Sequence, residues 1–220
     1  MALILCIETA TTNCSVALSV DGNIRAVREE NPQKYSHAEK LHMFIDEVFK
    51  ICNLSLNKLD AVAVSKGPGS YTGLRIGVSA AKGIAFALDI PLISLNTLEV
   101  LAQQTLNWDN GYVIPLIDAR RMEVYSAVFN KDKKMVRKIE AEILTENSFE
   151  SYLNETKCLF IGDAVVKSQK VITHKNAEFI ENKYPSAKNM GQLVEAKFGN
   201  SEFEDVAYFE PFYLKAFIPG

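Results

Sequence analysis

The residues best placed for chemistry are SKGPGSYTGLR, residues 65–75, between the apolar run AVAV (61–64) and LRIGVSAAKGIAFAL. Such strand-to-helix turns hold phosphates, because free backbone N–H groups and the helix dipole converge there. The spacing excludes the two common nucleotide loops. After Gly67 the later glycines fall at 69 and 73, and Leu74 stands where a P-loop has its lysine. A G-x-G-x-x-G reading needs a glycine at 72, which is Thr72. Pro68 and Gly69 suit a turn, and Ser70 or Thr72 an N-cap. Ser70, Tyr71 and Thr72 stay as candidates for a nucleotide or anion contact.

No metal site is expected. His37, His42 and His174 are the three histidines. HAEKLH spaces two of them five apart, about 140° around a helix, whereas H-E-x-x-H keeps them four apart on one face. Cys6, Cys14, Cys52 and Cys158 are scattered without a C-x-x-C and read as buried thiols of a reduced, cytoplasmic protein. No nucleophile–His pair for a peptidase is evident. The most basic run, NKDKKMVRK (130–138), reads as a hairpin tip and an edge strand rather than a nucleic-acid contact.

The elements that position these residues form two similar series. The chain has 220 residues, 48% hydrophobic, with net charge −3, which suits one large or two small globular domains. No apolar run is long enough for a bilayer, and MALILCIETA reads as a first strand rather than a secretory leader. Strands are expected at 3–8, 14–20 and 23–30, with a hairpin at Asp21-Gly22-Asn23. A helix from about Ser36 to Cys52, a strand at 61–65, a helix over 72–88, the strand PLISL and a Thr97-capped helix follow. VIPLID (113–118) opens a second series, with strands at 123–129 and 135–144, a helix from about Asn147, the strand CLFIG and further helices. Asp118 thus repeats the role of Glu8 half a chain later. The boundary is placed near 107, giving lobes 1–107 and 108–220, with a C-terminal segment free to pack back on the first lobe.

Both helices of the first half look too apolar for one sheet to cover. In 36–52, Leu41, Phe44, Ile45 and Val48 belong to an arc of roughly 180°, where a sheet needs little more than 100°. In 72–88, Gly73, Gly77, Ala81 and Ala85 form a smooth strip, joined by Leu74 and Val78. The pattern favours a partner contact through Leu41, Phe44, Ile45, Val48, Gly73, Leu74, Gly77, Val78 and Ala81 over the alternative of a thick core packed purely internally.

The motifs IETATTNCSVAL, SHAEKLHMFIDEVF, GPGSYTGLRIG, PLIDARRMEVYSAVF, YPSAKNM and FEPFYLK resemble the TsaB (YeaZ-like) family of tRNA threonylcarbamoyladenosine biosynthesis proteins. They stand in family order and cover most of the chain. The resemblance implies an α/β fold of the actin-like ATPase (ribonuclease H-like) type, duplicated into two βββαβα-type lobes. It implies a non-catalytic subunit, without cofactor or metal, required for threonylcarbamoylation of adenosine 37 in tRNA. Expected partners are a catalytic TsaD-type paralogue, a TsaE-type ATPase and, in isolation, a second copy as homodimer, with tRNA met only through the complex and no membrane. TsaD carries H-M-E-G-H where this chain has TLEVL, residues 97–101, so Thr97 and Leu101 replace two histidine ligands. Glu99 is expected as a helix-surface charge. Glu8 replaces the usual aspartate of the first hairpin. Two rival activities set against this reading are a small actin-like ATPase or kinase acting alone and a glycoprotease-like peptidase.

Overall fold

The structure, a computed structural model, describes residues 2–31 and 37–215. It contains two five-stranded mixed sheets. In the first, β1 (Leu3–Glu8), β2 (Cys14–Val20) and β3 (Asn23–Glu30) form antiparallel hairpins; β4 (Ala61–Gly67) and β5 (Leu92–Asn96) add in parallel, in the order β3-β2-β1-β4-β5. The Asp21-Gly22 turn is a left-handed pair, with φ of 50° and 74°, as a tight hairpin between right-twisted strands requires. β1 and the first five residues of β4 are buried throughout, as expected of sheet strands covered on both faces.

α1 (His37–Cys52) and α2 (Tyr71–Leu88) cover one face of this sheet. The expected α1 start at Ser36 lies outside the described residues. α1 carries Glu39 in its first turn and Lys50 in its last, both favourable to the helix dipole. α2 starts at the Ser70 cap, whose hydroxyl accepts from Gly73 N at 3.3 Å, and ends at Asp89 in the left-handed conformation. α3 (Thr97–Ala102) follows β5. Asn96 caps it, its Oδ1 accepting from Leu98 N at 3.0 Å, so the cap falls one residue before the expected Thr97.

The second sheet repeats the order. β6 (Gly111–Asp118), β7 (Glu123–Phe129) and β8 (Met135–Ile143) form the hairpins; β9 (Lys157–Gly162) and β10 (Ala177–Ile180) add in parallel, giving β8-β7-β6-β9-β10. α4 (Glu150–Glu155) and α5 (Val165–Ser168) are short. Phe160 anchors this core, stacked on Phe179 and edge-on to Phe149. Residues 130–134 are a hairpin tip leading to the edge strand β8, as the lysine-rich run suggested. β10 was not foreseen: AEFI is four residues, half-buried, too short to show a period.

The compact units are Met1–Val100 with Pro185–Gly220, and Leu101–Tyr184. The segment from Pro185 therefore groups with the first unit, a placement the sequence pattern left open, and the first break falls at Val100–Leu101 rather than near 107. The reason is an uncovered sheet face. Ile4, Cys6, Ala17, Ala61, Ala63, Ile93 and Leu95 point away from α1 and α2, and Ala187, Met190 and Val194 bury them. Val194 lies on α6 (Gly191–Gly199). The chain then runs back along α2, where Lys82 donates to the carbonyls of Ala207 and Phe209 and Phe212 N donates to Lys66 O.

Candidate partner-binding site

The glycine-rich turn is packed down onto the β1–β2 hairpin. Ser70 N donates to Ala10 O at 2.7 Å. A Cβ on Gly69 would stand 2.3 Å from the same carbonyl oxygen, and one on Gly73 2.2 Å from Thr9 O, so only glycine permits the approach. The candidate anion contacts are thus partly committed. Ser70 gives its amide to Ala10 and its hydroxyl to the helix cap. The Tyr71 ring packs on Tyr213 at 4.7 Å, with the Arg75 guanidinium 4.1 Å above it. Thr72 is exposed.

Glu8 is fully buried at the end of β1. One carboxyl oxygen accepts from Ala10 N at 2.7 Å, and the other makes a short hydrogen bond with Ser65 Oγ. Burial pushes its pKa up to about 7, against the pull of the Ser65, Ala10 and Thr9 hydrogen bonds. The carboxyl is turned into the protein, where it closes the hairpin end onto β4. At TLEVL, Thr97 and Leu101 are fully buried. Glu99 is half-buried rather than a plain surface charge, its pKa raised by burial and moderated by Lys197 and Lys66. The histidines stay apart in role: His37 is buried, its Nε2 2.7 Å from Thr11 O; His42 is exposed; and His174 Nδ1 accepts from Asn176 N. Among the described residues no group of three or more His, Cys, Asp or Glu could hold a metal ion, and no helix is long and apolar enough to cross a membrane.

The residues expected at the partner face lie inside. Leu41, Phe44, Ile45, Val48, Gly73, Leu74, Gly77, Val78 and Ala81 are all buried within the first unit. The smooth strip serves β1: a Cβ on Gly77 would come 2.2 Å from Thr9 Oγ1, and Thr9 Oγ1 donates to Gly73 O at 2.8 Å. The physical reason is one of cover. The sheet, the Thr9 turn and the packing between α1 and α2 bury these nine residues without a second molecule.

The outward side of the same helices is less covered. Ala38 and His42 of α1 and Arg75, Ile76, Ser79, Ala80, Gly83 and Ile84 of α2 line an open groove of about 580 Å³. A Cβ on Gly83 would meet nothing within 4 Å. Phe86, on the same helix, is 82% exposed. In the sequence Ile76, Ala80, Gly83, Ile84 and Ala87 also recur at three- and four-residue steps, beside the polar stripe Thr72, Arg75 and Ser79, a spacing that does not by itself tell this strip from the buried one.

Comparison with known proteins agrees with this architecture. Residues 31–216 match the sequence model of the family described as TsaD, tRNA N6-adenosine threonylcarbamoyltransferase. The chain is 37% identical over 131 residues to a tRNA threonylcarbamoyladenosine biosynthesis protein TsaB from Escherichia coli, a match spanning 59% of this chain and 56% of that relative. A relative of the same name from Buchnera aphidicola subsp. Baizongia pistaciae is 30% identical, over 96% of this chain and 97% of its own. A Pseudomonas aeruginosa crystal structure, of a protein described as similar to peptidase YEAZ, superposes with a TM-score of 0.84 at 25% identity, covering 98% of this chain and 100% of that one. The fold alone is shared, at a TM-score of 0.50 and 11% identity over 93% of this chain and 98% of that one, with an ADPNP-bound activator of 2-hydroxyisocaproyl-CoA dehydratase from Clostridium difficile.

Proposed function

The chain belongs to the TsaB family of tRNA threonylcarbamoyladenosine biosynthesis proteins, and from that premise we propose that it serves threonylcarbamoylation of adenosine 37 in tRNA as a non-catalytic subunit. It docks a TsaD-type paralogue, or a second copy when alone, and the assembly recruits a TsaE-type ATPase.

The observation that carries this reading is the open groove between α1 and α2. Its lining is apolar and small at Ala38, Ile76, Ala80, Gly83 and Ile84. Small residues let another helix backbone approach closely, and an exposed aromatic such as Phe86 is the usual kind of anchor. Two features support a non-catalytic role. The Glu8 carboxyl has both oxygens engaged internally, and Thr97 and Leu101 cannot ligate a metal as imidazole does.

The test separates the groove from the core. Gly83→Leu fills open space and leaves the stability of the isolated chain within about 0.5 kcal/mol of wild type, as for most surface changes. Phe86→Asp, at a ring that is 82% exposed, places a charge at a contact that must shed water. Both variants are expected to weaken binding to the paralogue at least tenfold, about 1.4 kcal/mol, by sedimentation or calorimetry, and to reduce modification of a tRNA transcript. Unchanged assembly of both folded variants would place the interface elsewhere. Turnover of ATP by the isolated chain, lost in Glu8→Ala, would mean an enzyme in its own right.

A further inference from the structure

The turn between β6 and β7 holds two consecutive arginines in the left-handed region, Arg120 at φ 74° and Arg121 at φ 50°. Glycine or asparagine takes this conformation cheaply, while residues with long side chains avoid it. Both arginines are exposed, and neither guanidinium has an ion-pair or hydrogen-bond partner among the described residues. Arg28, Arg75 and Arg137, by contrast, engage Glu47, Tyr213 and Glu142.

The turn is fastened from beneath. Lys167 Nζ donates to Asp118 Oδ1 at 2.6 Å, Arg121 O at 3.0 Å and Glu123 O at 2.5 Å. Asp118 Oδ1 also accepts from Arg120 N at 2.7 Å, Asp118 N donates to Asp163 Oδ1 at 2.8 Å, and Leu144 N donates to Met122 O at 2.8 Å. The Asp118 charge is therefore met by Lys167 and an amide, not by either guanidinium. An unfavourable backbone, rigidly held, presents two free planar cations outward.

We propose that Arg120 and Arg121 grip the phosphodiester backbone of the RNA substrate, so that this chain contacts tRNA directly. Guanidinium forks match phosphate oxygens bidentately, and backbone contacts of this kind position a nucleic acid without reading its sequence. A free nucleotide fits less well, because nucleotide sites are concave and this is the exposed tip of a hairpin. The proposal rests on the reading that the chain serves tRNA modification.

The test uses the full complex with the TsaD- and TsaE-type partners and an unmodified tRNA transcript, titrated over a series of salt concentrations. Each phosphate contact contributes about 0.7–0.9 to the slope of log affinity against log salt, so the double variant Arg120→Ala, Arg121→Ala should lower that slope by about 1.4–1.8. Arg120→Lys, Arg121→Lys should keep most of it. Arg121→Gly should weaken tRNA binding while folding at least as stably as wild type. A complex that binds and modifies tRNA with an unchanged slope in the double alanine variant overturns this inference alone. Variants that lose ATP binding, or capture of a partner protein, while keeping tRNA affinity overturn it as well. A wild-type complex that neither binds nor modifies tRNA removes the functional reading and this inference with it.

Discussion

The two hairpin ends of the molecule start from the same plan and finish differently. Each closes a central strand, β1 or β6, in a sheet of the same order, and each carries a carboxylate at its last residue. Glu8 is fully buried, its oxygens satisfied by Ser65 and the Ala10 amide. Asp118 is exposed, paired with Lys167, and followed by two left-handed arginines. The first end has become an internal joint that seats the glycine-rich turn. The second holds its charges at the surface. A duplicated fold thus fixes where an acid stands, while the neighbours that meet it decide whether it is structure or surface.

The largest effects should come from treating the first unit's joint as if it were surface. Leu41→Asp buries an unpaired charge at a position with no exposure, a loss on the order of 5 kcal/mol once the lost apolar burial is included. That is comparable to the whole stability of a small domain. Gly77→Leu must displace Thr9, whose Oγ1 is 2.2 Å from the site of the new Cβ, and overpacking of this kind typically costs about 1–3 kcal/mol, occasionally more. Circular dichroism melts should show both variants unfolding early, before any assembly is tested. If Leu41→Asp or Gly77→Leu melts like wild type yet fails to assemble, the buried strip faces a partner after all.

Glu8 gives the next effect, and it depends on pH. Its folded pKa, about 7, lies above its ordinary 4.5, so between those values the folded state binds more protons than the unfolded state. Stability contributed by this group is therefore full below about pH 4.5 and is lost as pH rises through about 7. The shift corresponds to roughly 3 kcal/mol at most. Glu8→Gln keeps the neutral shape and should match wild type near pH 4.5 while melting higher at pH 8. Equal pH profiles for the two proteins would mean that Glu8 is ionised in the folded state with little cost.

Much of this contrast was readable in the sequence, and its limits have physical causes. The strand series, the Asp21-Gly22 turn and the repeat of Glu8 at Asp118 follow from local pattern, because alternation and turn chemistry are local properties. The excess apolarity of α2 was also legible. Which strip of α2 faced outward was not, since Gly73 and Gly77 look the same whether they admit a partner helix or Thr9. The second layer of the first sheet came from residues 187–194, nearly a hundred positions after β5, and no local pattern reports such a return. The strained arginines were visible only as DARR: alternating patterns give no hint that φ turns positive at residues with long side chains.

The second hairpin end should respond more mildly, and here the clamp can be loosened. Lys167→Met keeps most of the buried stem and removes three donated hydrogen bonds, one to a carboxylate. A loss of about 2 kcal/mol is expected for the second unit. Because Asp118 is exposed, it can rehydrate, so the loss should stay well below that of Leu41→Asp. Hydrogen exchange at Arg120 N and Asp118 N should quicken in the variant. Unchanged exchange there would show that the turn is held by its strand ends and needs no clamp.

The smallest effect carries the opposite sign. Arg121 has φ 50°, a region that costs an L-residue roughly 1–2 kcal/mol and glycine almost nothing. Arg121→Gly therefore relieves the folded state. Glycine also gives the unfolded chain more freedom, which returns about 0.4–1 kcal/mol of the gain. The net expectation is a stabilisation of up to about 1 kcal/mol, read as a slightly higher denaturant midpoint with an unchanged slope. The side chain has no partner among the described residues, so nothing on the folded side is lost with it. At Glu8 the same logic gives no such gain, because there both carboxyl oxygens are engaged. If Arg121→Gly instead destabilises the protein, the guanidinium is part of the fold, and the difference between the two hairpin ends is smaller than their burial suggests.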